Sequence, residues 1–529
     1  MKRLILFGAL CLPAFFAGCI HNDLPYPVVT INIEAIEAEG LDGAAQINAA
    51  QQTVILPLLE TTDIRNVHIT SVTLTEGGQS SVAFPGTFDL RTPLYTTLSL
   101  YQEYGWSIAA TQTIERYFRV KKQVGAAEID PANRTATAYV SRSTDLQNVP
   151  VKELKLGPAG ITTYSPEIEG TTSFETVRLA HGRTEQWRLR VVPTDVTVRI
   201  TQCDAWARIA WLAADGLSDT EMGFVYRRKG DTEWLAVPDV EIEGGTFRAK
   251  LAGLDPETTY ELRAFSDTDS CDMREFTTEA APQLPNAGFE TWSTDRSDIL
   301  YPYAADAPLA EQFWGSGNPG SMTLKKLVTT NEKDPRPGSE GQYCAQLKSQ
   351  YVAFLGVGKF AAGNLFSGHY AETKGTDGIV NFSQPFTSRP VALHGWVKYN
   401  RGKMDYIKSS PVGMSFAKGD PDEGIIYMAL GRWTAAEYGG TEQSPVQVYT
   451  RDTKTFFDPE GKDVIAYGEV VFTTSVDEWR EFTVKLDYTA TDVVPTHLMI
   501  VCSASRYGDY FTGSSDSVMW VDDFELVYE

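Results

Sequence analysis

Residues 518–528 read VMWVDDFELVY, a stretch in which bulky apolar and polar side chains alternate. This period of two predicts a β-strand with one buried face. Parity assigns five residues to the face toward the core: Trp520, Asp522, Phe524, Leu526 and Tyr528. Asp522 is then a buried carboxylate, which is costly unless a cation, backbone N–H groups at a strand end, or a Lys or Arg partner satisfies it.

Similar alternation recurs through residues 285–529, and no long stretch shows the 3.6-residue period of a helix. Gly, Asn, Asp and Pro turns separate the candidate strands, which include YCAQLKS, VALHGWVKYN, EVVFTTS, REFTVKLDY and HLMIVCSAS. Many short strands within one long domain are typical of a jelly-roll β-sandwich. The sequence therefore predicts an all-β protein that ends in a jelly roll.

An internal repeat organises the first part of the chain. The segments that begin at Gly43 and Gly125 align without a gap at an offset of 82 residues, and Trp106 matches Trp187 near the end of each unit. Their short alternating runs predict antiparallel sheets with one buried face. A unit of about 80 residues suits a small β-sandwich. We expect two tandem Ig-like modules that serve as a spacer.

Residues 251–266 read LAGLDPETTYELRAFS and resemble the fibronectin type III pattern L-x-P-x-T-x-Y-x-x-R-A. In such a module Tyr260 would be a corner tyrosine whose hydroxyl bonds to the backbone near the turn. The pattern indicates a fold and is nearly silent about function. The expected division of the chain is 1–18 for a signal peptide, 19–119 and 120–193 for the Ig-like repeats, 194–278 for the fibronectin-like module, 279–284 for a linker and 285–529 for the jelly roll.

The first residues of the chain predict a targeting signal. Lys2 and Arg3 precede an apolar run over residues 4–16, which is shorter than the ~20 residues of a membrane span. The ending F-A-G-C resembles a bacterial lipobox, which implies lipid on Cys19 and an outer-membrane anchor; an ordinary cleaved signal is the alternative. Whether the anchored protein faces the periplasm or the cell surface stays open.

Charge and cysteines exclude some classes. A net charge of −23 and a pI near 4.8 argue against a nucleic-acid partner, which selects clustered Lys and Arg. Four cysteines follow Cys19 and allow three pairings: Cys203, Cys271, Cys344 and Cys502. Partition by domain would pair the first two and the last two. We expect the first pair not to form, because its members fall near opposite ends of the predicted sandwich.

The C-terminal domain resembles a Bacteroidota family called the "putative carbohydrate metabolism domain". The matching stretches are NAGFETW (286–292), FWGSGNPG (313–320), KFAAGNLFSG (359–368), QPFTSRPVALHGWVKY (384–399), SASRYGDYFTGSSDS (503–517) and WVDDFELVY (520–528). The opening N-x-G-F-E and the closing V-D-D-F also resemble the two ends of calcium-bearing, jelly-roll carbohydrate-binding modules. This resemblance implies that Glu290 and Asp522 hold a structural Ca²⁺, whose preferred ligands are oxygen atoms.

Aromatic side chains beside polar groups predict a glycan site, because sugars stack their C–H faces on rings. The candidate residues lie in Gly-rich or aromatic stretches: Trp314, Asn318, Asn364, Arg506, Tyr507, Asp509 and Tyr510. Each has a structural alternative, such as a core position for Trp314 or a turn for Asn318. The chain has no H-E-x-x-H, G-x-S-x-G or Gly-Lys-Ser/Thr motif.

We therefore expect a lipid-anchored protein that binds glycan through its jelly roll and assists polysaccharide capture or use. One alternative is a structural or adhesive surface protein with outer-membrane protein partners. A second is a glycoside hydrolase, which needs two facing carboxylates that sequence alone does not reveal.

Overall fold

The computed structural model describes residues 31–49, 51–100, 102–147, 149–165, 173–354, 357–411 and 413–529. The predicted signal peptide and Cys19 lie outside the described residues. Strands account for 49% of the described residues and helices for 4%, which confirms the all-β class. Within the described ranges, no helix has the length and apolar character needed to cross a membrane. The chain divides into two compact units, Met1–Gln112 and Thr113–Glu529.

The first unit is a sandwich of two sheets, ordered β1-β4-β6 and β2-β3-β8-β7-β5. Its core surrounds the buried Trp106. The strands are β1 Ile33–Ala38, β2 Gln46–Asn48, β3 Thr53–Leu58, β4 Val67–Leu74, β5 Gln79–Ser80, β6 Gly86–Phe88, β7 Leu94–Ser99 and β8 Glu103–Gln112.

The second unit opens with a module that repeats this topology in sheets β10-β11-β15-β14-β13 and β12-β9. Its strands are β9 Tyr117–Val120, β10 Glu128–Asp130, β11 Thr135–Ser141, β12 Val151–Lys155, β13 Thr163–Tyr164, β14 Ser173–Ala180 and β15 Arg183–Thr194. Trp187 is buried like Trp106. The junction expected after residue 119 falls inside β9, which pairs with β12, so residues 117–119 belong to this second module.

Each repeat contains one parallel strand pair, where the alternation predicted antiparallel sheets. Strand β3 runs parallel to β8, and β11 runs parallel to β15. The other pairs in both modules are antiparallel. Several intervening strands separate each parallel pair along the chain, and this length allows the chain to return in the same direction.

A third sandwich follows, with sheets β16-β17-β21-β20 and β19-β18-β22-β23, and with β24 on β22. Its strands are β16 Arg199–Ala205, β17 Ile209–Asp215, β18 Met222–Arg228, β19 Leu235–Ala236, β20 Glu241–Glu243, β21 Thr246–Ala252, β22 Thr259–Ser266, β23 Asp269–Ser270 and β24 Arg274–Thr277. The predicted contact of Tyr260 is confirmed, because its hydroxyl oxygen accepts the Asp255 N–H at 2.9 Å. All four cysteines of the described residues are free thiols.

The C-terminal domain packs a nine-stranded sheet on a five-stranded one. The larger sheet runs β37-β33-β32-β41-β36-β38-β40, with β27 on β32 and β34 on β41; the smaller runs β28-β29-β42-β35-β39. The strands and helical turns are β25 Ser293–Thr294, β26 Leu300–Tyr301, β27 Trp314–Gly315, α1 Asn318–Ser321, β28 Thr329–Glu332, β29 Cys344–Lys348, β30 Gln350–Phe354, β31 Val357–Ala361, β32 Asn364–Lys374, β33 Asp377–Phe382, β34 Gln384–Pro385, β35 Ala392–Asn400, β36 Gly424–Gly431, α2 Ala435–Tyr438, β37 Val446–Tyr449, β38 Val464–Phe472, β39 Val476–Lys485, β40 Asp487–Tyr488, β41 His497–Ser503 and β42 Val518–Val527.

Strand β42 contains a β-bulge, so the predicted parity is wrong for the residues before the bulge and right for Phe524 and Leu526 after it. Met519 and Val521 point into the core before the bulge, and Phe524 and Leu526 do so after it, while Trp520 is only half-buried. The register against β35 shifts between Asp522, which pairs with Trp396, and Glu525, which pairs with His394, and Asp523 has a φ of 44°. An extra residue of this kind reverses the inward and outward positions.

The two ends of this domain meet, as the resemblance to calcium-bearing modules implied. The Ala287 carbonyl accepts the Phe524 N–H at 3.0 Å. Gln283 pairs with Leu526 twice, donating from Nε2 to its carbonyl and accepting its N–H, both at 2.8 Å. Because Gln283 is bound in this way, the expected linker 279–284 is fixed to the domain that follows it.

A buried contact joins the third module to the C-terminal domain. Arg389 is 5% exposed, and its Nε donates to Glu279 at 2.9 Å while a terminal nitrogen donates to the Ala205 carbonyl at 2.8 Å. The Trp206 indole donates to the Thr491 carbonyl at 3.0 Å. Burial raises the pKa of Glu279, although the Arg389 guanidinium opposes that shift.

Candidate functional site

A cavity of about 430 Å³ lies on the outer face of the larger sheet in the C-terminal domain. Its floor is formed by strand residues that alternate with core residues. For example, Ile425 and Tyr427 line the cavity, whereas Ile426 and Met428 between and beyond them belong to the sandwich core. The period of two in a strand buried on both faces therefore gives the sheet an apolar core face and a second, concave apolar face.

Strand register sets the floor residues in rows. Phe366 on β32 pairs with Val501 on β41, which pairs in turn with Tyr427 on β36. The adjacent row contains Asn364, Ser503 and Ile425 in the same order. Neighbouring side chains on one sheet face lie about 5 Å apart. The floor is therefore a continuous surface of rings, aliphatic groups and two polar side chains.

Two tyrosines supply half-buried rings to the cavity. Tyr427 stacks on Phe457 with ring centroids 5.7 Å apart and an interplanar angle of 5°. The hydroxyl of Tyr370 lies 2.8 Å from that of Thr373. Space for the Tyr370 ring depends on Gly320, where a Cβ would come within 2.5 Å of the hydroxyl oxygen. The absence of a side chain at Gly320 in α1 therefore leaves room for Tyr370 in the cavity.

Three of the residues predicted for glycan binding line this cavity: Asn364, Arg506 and Asp509. Asn364 accepts the Gly317 N–H at 2.7 Å and keeps its amide near the wall. Arg506 donates to Glu423 at 3.2 Å and to Glu469 at 3.5 Å. Both side chains are half-buried and can offer further hydrogen bonds to a ligand.

Asp509 keeps an exposed surface, but the surrounding wall removes water from its carboxyl group and raises its pKa to about 6. The pKa of Tyr427 is also raised, first by burial and then by the negative charge of Asp509. The charge of Asp509 therefore acts on Tyr427 across the cavity. Near neutral pH, Asp509 is the anionic acceptor and Tyr427 a neutral donor.

Asp422 holds the loop that carries Arg506 and Asp509. Its buried carboxylate accepts hydrogen bonds from the hydroxyls of Ser505 and Ser517 at 2.6 and 2.8 Å and from the Ser514 N–H at 2.8 Å. Burial raises the pKa of Asp422, and these donors oppose the shift. Because Asp422 lies two residues before β36, this network attaches the cavity loop to the sheet.

Trp314 and Asn318, both predicted to bind glycan, are structural residues. Trp314 is 1% exposed, packs against Phe289 and Phe524, and donates to the Pro285 carbonyl at 2.8 Å. Asn318 is fully buried and uses its amide for the carbonyls of Leu300 and Thr329. Neither side chain can reach a ligand, because the core and the α1 turn enclose them.

The predicted Tyr507 and Tyr510 pack beside the cavity without lining it. Tyr507 is 8% exposed and lies against Phe416, with centroids 4.6 Å apart. Tyr510 meets Phe456 edge to face at 5.0 Å. These contacts stabilise the loop that carries Asp509, so the rings of Tyr507 and Tyr510 have a structural role beside the cavity.

Glu290 and Asp522, predicted to hold Ca²⁺, both bind the segment between β28 and β29. Asp522 is fully buried and accepts the Arg336 N–H at 2.8 Å, and exposed Glu290 accepts the Tyr343 N–H at 2.8 Å. Burial raises the pKa of Asp522 to about 6, and the charges of Asp523 and Glu290 add to the shift. Across the described residues, no three His, Cys, Asp or Glu side chains form a group that could hold a metal ion.

Sequence reasoning missed the principal aromatic residues of the cavity, Tyr370 and Tyr427. The stretch 424–431 reads GIIYMALG, and a tyrosine within a strand that is otherwise apolar on both faces is the available signal. The stretch NLFSGHY similarly contains Phe366 and Tyr370. Their exposure depends on which loops cover the outer face, which the pattern alone does not determine.

Residues 288–527 match the family described as "Putative carbohydrate metabolism domain". This segment contains the whole cavity. No curated protein matches the chain.

Two solved structures from Bacteroides are similar to this chain, one over almost its whole length and one over about half of it. A "putative glycoside hydrolase" from Bacteroides thetaiotaomicron shares 14% identity over 96% of this chain and 98% of that chain, with a TM-score of 0.31. Another from Bacteroides vulgatus shares 22% identity over 46% of this chain and 97% of that chain, with a TM-score of 0.33. Likenesses at these TM-scores do not indicate a shared function.

Proposed function

We propose that this protein binds a glycan in the cavity on the outer face of its C-terminal sheet and serves polysaccharide capture or use. The observation that supports this most is the combination, in one cavity, of the rings of Tyr370 and Tyr427 with the polar groups of Asn364, Arg506 and Asp509. Rings bind the C–H faces of sugars, and a few polar groups fix their orientation. The match to a carbohydrate-related family is consistent with this ligand class.

Binding is better supported than hydrolysis. Among the described residues that line the cavity, Asp509 is the one carboxylate. Glycosidases use two carboxyl groups that flank the scissile bond at about 5–9.5 Å from each other. The nearby Glu423 and Glu469 are bound to Arg506.

A glycan array probed with the full chain tests the proposal. We expect retention on at least one polysaccharide class and loss of that retention in Tyr427→Ala. A protein that binds no glycan but recovers outer-membrane proteins in a pull-down would instead support the structural or adhesive alternative. Release of reducing sugar, lost in Asp509→Asn, would support the hydrolase alternative.

The proposal includes a lipid anchor on Cys19, supported by the F-A-G-C ending after a short apolar run. Metabolic labelling with an alkyne fatty acid should mark the wild-type protein and not Cys19→Ser. Membrane fractionation should then find Cys19→Ser released from the outer membrane. Equal labelling of both proteins would remove the anchor from the proposal.

A structural Ca²⁺ near Glu290 and Asp522 is also part of the proposal. It rests on the resemblance of the two domain ends to calcium-bearing modules and on Asp522 and Glu290, which both bind the segment between β28 and β29. Asp523 is already paired with Arg336, whose Nε donates to it at 2.6 Å. Asp522 has no side-chain cation of its own among the described residues and uses only two of its acceptor positions. Carboxylate oxygens are ligands that a hard cation such as Ca²⁺ prefers.

A further inference from the structure

Two lysines meet at one aromatic ring on the edge of the cavity. The Nζ atoms of Lys359 and Lys408 lie 4.1 Å and 4.6 Å from the centroid of the Phe511 ring. Lys359 and Phe511 line the cavity, and Lys408 approaches the ring from the segment between β35 and β36. Two segments distant in sequence therefore bring two ammonium groups to one place.

These positive charges are only partly balanced. Asp377 forms an ion pair with Lys359. Lys408 is exposed and has no carboxylate partner within the described parts of the chain. The pKa of Lys408 is lowered, first by burial of its amine and then by the Lys359 ammonium, with Arg451 adding to the effect and Asp377 opposing it. This cationic edge stands out in a chain of net charge −23.

The other cation of the cavity has protein partners. Arg506 is bound to both Glu423 and Glu469, so its charge is already compensated. An anion that enters the cavity therefore finds its strongest attraction at Lys359 and Lys408. Hydrogen bonds between ammonium groups and an anionic oxygen are stronger than those between neutral groups.

We propose that the cavity takes an acidic saccharide, and that Lys359 and Lys408 bind its anionic group. This inference rests on the proposed function and adds the charge of the ligand to it. A carboxylate and a sulfate ester would both satisfy two ammonium groups that lie beside the same Phe511 ring. The tyrosines and Asn364 would hold the rest of the sugar by stacking and neutral hydrogen bonds.

Calorimetric titration of the full chain with paired polysaccharides tests this inference. Polygalacturonate is compared with its fully methyl-esterified form, and dextran sulfate with dextran, so each pair differs in charge. We expect the charged member of at least one pair to bind about tenfold more tightly. The binding free energy that one hydrogen bond to a charged group contributes is large enough for a tenfold difference in affinity. The pair that responds identifies a carboxylate or a sulfate. Added salt should weaken this binding, because the site lies at the cavity edge.

Lys408→Met should weaken binding of the charged polysaccharide about tenfold and leave any neutral one unchanged. Lys403→Met is the matched control, because Lys403 is an exposed lysine of the same segment without a contact to Phe511. Equal affinity for charged and neutral members, or equal effects of the two substitutions, would overturn this inference while the proposed function stands. Absence of binding to every polysaccharide would overturn both.

Discussion

The carboxylate of Asp422 and the hydroxyl oxygen of Ser505 lie 2.6 Å apart in a fully buried junction. This contact joins the start of β36, which carries Tyr427, to the loop that carries Arg506 and Asp509. The same carboxylate binds Ser514 and Ser517 further along that loop. The geometry of the candidate site therefore depends on a residue that does not line it.

Asp422→Asn should lower the free energy of unfolding by about 2 kcal/mol. The carboxylate of Asp422 accepts hydrogen bonds from Ser505, Ser514 and Ser517, and the NH₂ group of an asparagine would place a donor against one of these donors. Urea denaturation of the full chain measures the change. Asp458→Ala, which alters an exposed turn carboxylate, should change stability by less than about 0.5 kcal/mol. Equal effects of the two substitutions would show that the Asp422 network adds little.

Arg389→Ala should destabilise the second unit by about 3–5 kcal/mol, because Glu279 would keep a buried charge without its partner. Lys250→Ala is the comparison, since the exposed Lys250–Glu529 pair joins the same two parts of the chain at 3.3 Å. That substitution should change stability by no more than about 1 kcal/mol. Chemical denaturation followed by tryptophan fluorescence distinguishes them, and a small effect of Arg389→Ala would contradict a fixed junction.

The stability contributed by Asp509 should depend on pH. Its pKa rises from an ordinary value of 3.8 to about 6 in the folded protein, so folding favours the protonated form. Stability is then fully present below pH 4 and declines as pH rises through 6. Asp509→Asn should therefore raise the Tm relative to wild type at pH 7.5 and have little effect at pH 4. An identical Tm difference at both pH values would contradict the shifted pKa.

Chelation should lower the Tm of the wild-type protein if Ca²⁺ binds near Glu290 and Asp522. Asp522→Ala should abolish that sensitivity, and added Ca²⁺ should restore the Tm of chelated wild type only. Asp458→Ala should retain the full response to chelator. Indifference of the wild-type protein to chelator would leave Asp522 as a carboxylate held by the N–H groups of Arg336 and Asp523.

Short motifs predicted two features of the fold. The corner position of Tyr260 and the meeting of the two domain ends were both implied by resemblances that these motifs carry. Asp522 is buried as predicted, but it lies beside the bulge and next to the core residue Val521, so strand alternation is not the reason. The bulge at Asp523 was not predictable in this way, because one additional residue changes the phase without altering composition.

The candidate site was predicted only in part. Asn364, Arg506 and Asp509 line the cavity, whereas Trp314 became a core residue because Phe289 and Phe524 enclose it. Tyr427 was missed because its exposure results from loops that leave part of the outer sheet face uncovered. Long-range packing determines this exposure, so it cannot be predicted from the alternation of residues in a single strand.

The role of the cavity in glycan binding is tested most directly by titrating the full chain and its Tyr427→Ala variant with the polysaccharide that the array identifies. Tyr95→Ala is the control, because Tyr95 is 74% exposed in the first unit and should not affect binding. We predict that Tyr427→Ala weakens binding at least about fivefold, consistent with the loss of about 1–3 kcal/mol of ring contact, while Tyr95→Ala matches wild type. Unchanged affinity in a folded Tyr427→Ala protein would contradict glycan binding in this cavity.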